Sequence, residues 1–133
     1  MATSVRPRPL SPHLSIWKWR VHMTVSIFHR ATGTAMATGG VVLFLWWLAA
    51  AATGAEAYAT FYKVATGWFG ILVGVGLTWV FFQHLMSGIR HLIMDTGAGL
   101  EIAASKRLAT LTFVGSVLLT ALTWGAILVG KGL

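Results

Sequence analysis

The sequence predicts an all-α membrane protein in which three transmembrane helices follow an amino-terminal interfacial arm and form part of a helical bundle. Three observations predict it. Uncharged stretches run from Ala31 to Ala55, from Val64 to Ile89 and from Leu108 to Gly130, each longer than the roughly 20 residues a helix needs to cross the hydrocarbon. Charged residues make up only 10% of the 133 and hydrophobic ones 56%, which leaves too little polar surface for a water-soluble domain. The basic residues also sort by side. Arg6, Arg8, Lys18, Arg20 and Arg30 precede or open the first stretch, Arg90, Lys106 and Arg107 follow the second, and only Lys63 and Lys131 fall on the other side. The positive-inside rule then puts the amino terminus and the second loop in the cytoplasm. On this layout the net charge of +7 serves lipid headgroups and topology, and no nucleic-acid partner is expected.

The arm covers residues 1–21. It contains Pro7, Pro9 and Pro12, all the prolines of the chain, so it should be extended. Trp17 and Trp19 alternate with Lys18 and Arg20, a mixture suited to headgroup depth. Residues 1–30 lack an apolar signal core and a cleavage site, so no cleaved signal peptide is expected. Helix I is expected over 22–53. Ser26, His29 and Arg30 stand at i, i+3 and i+4 where it enters the bilayer, on one face. They read as a polar pocket, or else as an arginine reaching for phosphates beside a serine bonded to its own helix. Glu56, Tyr58, Tyr62 and Lys63 belong to a short connection.

Helix II is expected over 64–95. Gly70 and Gly74 have the small-residue spacing that lets helices approach closely. Helix III is expected over 107–130 and is chemically plain, with no ionisable residue from Leu108 to Gly130. Because helix I starts and helix II ends on the inner side, the polar residues of both should lie at one membrane depth.

The end of helix II is the unusual part. At 100° per residue, His84, Gly88, His91 and Asp95 fall at about 0°, 40°, −20° and 20°, a single stripe, while Arg90 at about 240° points elsewhere. Polar groups in lipid must be paired or ligated. His84, roughly 10 Å deeper than His91 at 1.5 Å per residue, is the best metal-ligand candidate. Gly88 would leave room for a flat macrocycle against the helix, which suggests a haem iron on His84. The plain alternative is a close-packing glycine beside a hydrogen-bonded histidine. Asp95 is expected to pair with His91 or a partner chain, or simply to be solvated. Cysteine is absent, so an iron–sulfur cluster of the usual thiolate type would belong to a partner.

Two stretches carry a resemblance. Arg8-Pro9-Leu10 through Leu14 to Ser26-Ile-Phe-His29-Arg30-Ala-Thr32, and His84-x-x-x-Gly88-Ile89-Arg90-His91-Leu92-x-Met94-Asp95-x-Gly97, are similar to the two signatures of the haem-bearing cytochrome b556 membrane-anchor subunits of succinate dehydrogenase. The resemblance spans nearly the whole chain. It implies that His84 is an axial ligand of haem b, with the second ligand from another small membrane-anchor subunit. It implies that Ser26 and Arg30 line a ubiquinone site, that His29 lies near a haem propionate, and that His91 and Arg90 lie in the haem or quinone vicinity. The implied partners are that second anchor, an iron–sulfur subunit and a flavoprotein subunit, together forming a succinate:quinone oxidoreductase of which this chain is not catalytic alone. A short amino terminus favours the bacterial inner membrane over the mitochondrial one. Three other readings remain open on residues alone: an anchor without haem, a small transporter with a histidine relay, and a self-contained cytochrome pairing His84 with His22 or His29.

Overall fold

Residues 13–130 are described by a computed structural model. Residues 1–12 lie outside it, and with them most of the expected arm and the Arg8-Pro9-Leu10 part of the first signature. From His13 the chain is exposed through Arg20. A single 3-10 turn, Leu14–Ile16, is capped by the His13 ring, which accepts from the Ser15 amide, and Trp17 and Trp19 meet edge to face at 4.4 Å.

The first span is one run of helix with a local change of winding. It comprises α1 (Val21–Ala35), a π-helical turn at Met36–Gly40 and α2 (Val41–Thr53). The π turn contains Gly39 and Gly40, neither of which has a close neighbour where a side chain would stand beyond Met36 at 4.0 Å. Poor helix formers in an uncrowded stretch let the hydrogen-bond ladder slip by a residue.

The expected connection is itself a helix. α3 (Ala55–Thr66) follows α2 after Gly54 alone. Gly54 has φ +129°, a conformation open essentially to glycine, and it folds α3 back against α2. Glu56 in the first turn and Lys63 in the last suit the helix dipole. Phe61 meets Trp46 edge to face at 5.0 Å.

The second span therefore begins after Gly67, as α4 (Trp68–Asp95), not at residue 64. The two glycines with packing spacing serve different neighbours. A Cβ on Gly74 would lie 3.0 Å from the Trp124 ring, so Gly74 does admit the third span. A Cβ on Gly70 would collide with the carbonyls of Val64 and Ala65, so Gly70 serves the tight α3–α4 junction. Beyond Asp95, Gly97, with φ of +86° and an amide bond to the Met94 carbonyl at 2.9 Å, makes a left-handed terminus for α4. α5 (Ile102–Gly130) starts a turn earlier than the expected 107.

α4 is central, packed on both α1 and α5. Among the described residues the buried apolar side chains are Val25, Ala50 and Ala109, whereas the buried polar ones are Thr32, Gln83, Ser87, Arg90, Ser105, Thr112, Ser116 and Thr120. Large side chains such as Phe44, Leu72, Leu118 and Leu122 face outward. That inversion is what a lipid solvent produces. Lipid tails give apolar side chains no reason to hide, and helices associate through small and polar residues instead. Among the described residues three helices, Val21–Thr53, Trp68–Asp95 and Ile102–Gly130, are long and apolar enough to cross a membrane.

Candidate functional site: a histidine cluster between the first two spans

The α1–α4 seam brings together residues 55 apart in sequence. The His84 imidazole lies on α1 with Nδ1 3.0 Å from the His29 carbonyl oxygen and 3.3 Å from the Thr32 hydroxyl. A carbonyl can only accept, so Nδ1 carries the proton and donates. Nε2 is then left with its lone pair, in the plane of the ring, free for a metal. Gly33 is what allows this approach. A Cβ there would stand 2.9 Å from His84 Cε1, inside contact distance.

His29 completes the cluster. Its ring stacks on His84 with centroids 4.0 Å apart and planes 12° apart, and its Nδ1 lies 2.7 Å from the Ser87 hydroxyl. Ser87 in turn donates to the His84 carbonyl at 3.1 Å. His91 meets the other side of His29 at 5.0 Å, edge to face. The expected common depth is thus realised by direct contact. The stack also disposes of one open reading: lone pairs in two nearly parallel, overlapping rings do not point at a shared atom, so His29 cannot ligate opposite His84. His22 lies seven residues before His29, about 10 Å away along the helix, and is not level with His84.

The remaining expected residues divide. Ser26 is half-buried and Arg30 exposed on α1, so the serine–histidine–arginine face is split, with His29 in the seam and Arg30 outside it. Gly88 faces only His29, whose Cε1 would be 3.8 Å from an added Cβ, and the space beyond stays open. Asp95 is exposed at the end of α4. Arg90 lies on the α5 side of α4. It is 5% exposed and donates from Nη2 to the Ser105 hydroxyl on α5 at 2.8 Å. Its position on the helix wheel, away from the histidine stripe, is the reason.

Gly33, Ser87 and Gln83 were not singled out from the sequence, and Thr32 only as a letter of the signature. Thr32 and Gly33 follow His29 by three and four residues, so a helical wheel drawn on His29 would have found them. Gln83 is fully buried and accepts from the Ser116 hydroxyl at 2.8 Å; no spacing signal marks it.

A helical membrane subunit that presents a single oriented imidazole nitrogen is the class these features define. The chain belongs to the succinate dehydrogenase/fumarate reductase transmembrane subunit family, which it matches over residues 4–123. It is 40% identical over 116 residues to the succinate dehydrogenase cytochrome b556 subunit of Paracoccus denitrificans, covering 87% of this chain and 88% of that one. Against the cytochrome b556 subunit of Rickettsia felis it is 39% identical over 121 residues, 88% and 90% of the two chains. The mitochondrial cytochrome b560 subunit of Mus musculus is 39% identical over 97 residues, 71% of this chain and 57% of the mouse protein. The chain is accordingly a membrane subunit, of the cytochrome b kind, in a succinate:quinone oxidoreductase complex.

Proposed function

We propose that this chain binds haem b through His84 and ubiquinone through Ser26 and Arg30, and that it tethers the catalytic subunits to the membrane. The observation that carries the reading is the His84 tautomer. With Nδ1 donating to the His29 carbonyl at 3.0 Å, Nε2 is presented as a neutral imidazole donor, and a second-sphere carbonyl of this kind both orients the ring and raises its basicity. The cytochrome names of the relatives match that donor. Haem, when bound, supplies a one-electron carrier whose potential depends on axial ligand, burial and hydrogen bonding. A second ligand would come from another small membrane-anchor subunit, since His29 is stacked on His84 and does not face it.

His29 reaches Ser87 through Nδ1 and leaves Nε2 unbonded, the nitrogen that would donate to a haem propionate when it carries a proton. His91, edge to face with His29 at 5.0 Å, would lie beside that group. Ser26 offers a hydroxyl to a quinone carbonyl, and Arg30, exposed on α1, places a permanent positive charge where negative charge develops on a quinone oxygen. Both stand on the inner side assigned by the basic residues. An iron–sulfur subunit and a flavoprotein subunit dock on that side, and the bacterial inner membrane is the setting.

Replacing His84 with Ala in the assembled complex should abolish or strongly shift the b-type absorption band. An unchanged band would rule out ligation by His84.

A further inference from the structure

Helix α5 contributes no side chain to the histidine cluster, yet it holds two of the polar residues of α4. The buried stripe of α5 runs Ser105, Ala109, Thr112, Ser116 and Thr120. Two of its hydroxyls are satisfied within the helix, Thr112 on the Ala109 carbonyl at 2.8 Å and Thr120 on the Ser116 carbonyl at 2.7 Å. The other two reach across. Ser116 donates to Gln83 Oε1 at 2.8 Å while also lying 2.9 Å from the Phe113 carbonyl of its own helix, and Ser105 accepts from Arg90 at 2.8 Å.

Gln83 and Arg90 are seven residues apart, hence on one face of α4 and about 10 Å apart along it. Both are buried, Gln83 completely. His84 follows Gln83 directly, about 100° round the helix, and faces α1. The rotation of α4 that seats Gln83 on Ser116 therefore also aims the imidazole at Gly33. The notch there is narrow, with Cε1 at 2.9 Å from a would-be Cβ. Other polar contacts also hold α4, Ser87 with His29 on α1 at 2.7 Å and Trp124 Nε1 on α5 donating to Thr78 at 3.2 Å. Gln83 Nε2 and Arg90 Nε have no partner of their own, so each of these side chains has a single side-chain hydrogen bond, and a turn of α4 would leave it with none in a lipid-embedded bundle.

We infer that Ser116 and Ser105 are positioning residues for His84, fixing through Gln83 and Arg90 the rotation of α4 that lays the imidazole against Gly33. This rests on the haem-ligand reading of His84. Removing a clamp hydroxyl leaves the ligand in place but lets its ring turn about the helix axis. The angle between axial imidazole planes sets the low-field g-value of a low-spin ferric haem, so that signature reads the effect directly.

The test uses the assembled complex carrying Ser116→Ala, Ser105→Ala, the double variant Gln83→Met with Ser116→Ala, and Thr112→Val. The double variant removes both polar partners at once and strands no amide, so it assembles even if Ser116→Ala alone does not. Expected are full haem content with a shifted low-field g-value in the clamp variants, the wild-type signature in Thr112→Val, and recovery in Ser116→Thr. Wild-type signatures in Ser105→Ala and in the double variant, beside a signal lost in His84→Ala, overturn the positioning inference alone. A wild-type signature in His84→Ala overturns the ligand assignment and the inference with it.

Discussion

At the scale of single residues, the site depends on an atom that is missing. Gly33 carries no side chain where His84 needs room, and the nearest ring atom would lie 2.9 Å from an added Cβ. A valine there has two further methyl groups and cannot be accommodated by a small shift. Gly33→Val should lower haem affinity by about 10- to 100-fold, the range for losing a group that orients a metal ligand, as read by haem content of the purified complex. Retention of full haem would show that the imidazole has another seat. Arg30 makes a different prediction, because it is exposed and outside the seam. Arg30→Leu should reduce quinone reduction by about a hundredfold, the effect of deleting one charge-stabilising donor, while succinate oxidation with an artificial dye is unchanged. Equal loss of both activities would make Arg30 structural. His84, His29 and Arg30 could be read from the chain because polar groups are rare and costly in a bilayer. Gly33 could be placed on the His29 face by helical spacing, but not as the seat of His84, since that ring comes from a helix 51 positions away in sequence.

At the scale of elements, spans were legible and their breaks were not. Length and uncharged composition suffice to mark a spanning helix, but Glu56, Tyr58, Tyr62 and Lys63 read equally well as a loop or as α3. Gly54 at φ +129° and the crowding at Gly70 decide for a helix folded tightly onto the next. Gly70→Ala should therefore destabilise the complex by about 1–3 kcal/mol, the usual cost of overpacking, visible as a lower unfolding midpoint. Gly76→Ala, with nothing within 4 Å of its Cβ, is the control and should be neutral. α5 looked plain for a related reason. Its inward stripe is serine, threonine and alanine, residues too small and mild to stand out in a sequence, yet they are what lets α4 come close.

For the whole molecule, the distribution of basic residues makes a topological prediction. Lys63 and Lys106 are both exposed, and the chain has no cysteine, so single cysteines report cleanly. In vesicles containing the complex, an impermeant thiol reagent should reach Lys63→Cys from the outer face and Lys106→Cys from the cytoplasmic face. The reverse pattern would invert the chain and move the histidine cluster to the wrong side for a cytoplasmic electron donor. The sequence by itself determined that the chain is a three-span membrane helical protein, which end is basic, and which rare polar residues require an explanation, because hydropathy, charge and helical period are local properties. Only the tertiary structure decided which nitrogen of His84 is free, that His29 stacks on it and does not face it, and that Arg90 serves α5. Each of these depends on how two helices are rotated against one another, and that rotation is set by contacts between residues far apart in the chain.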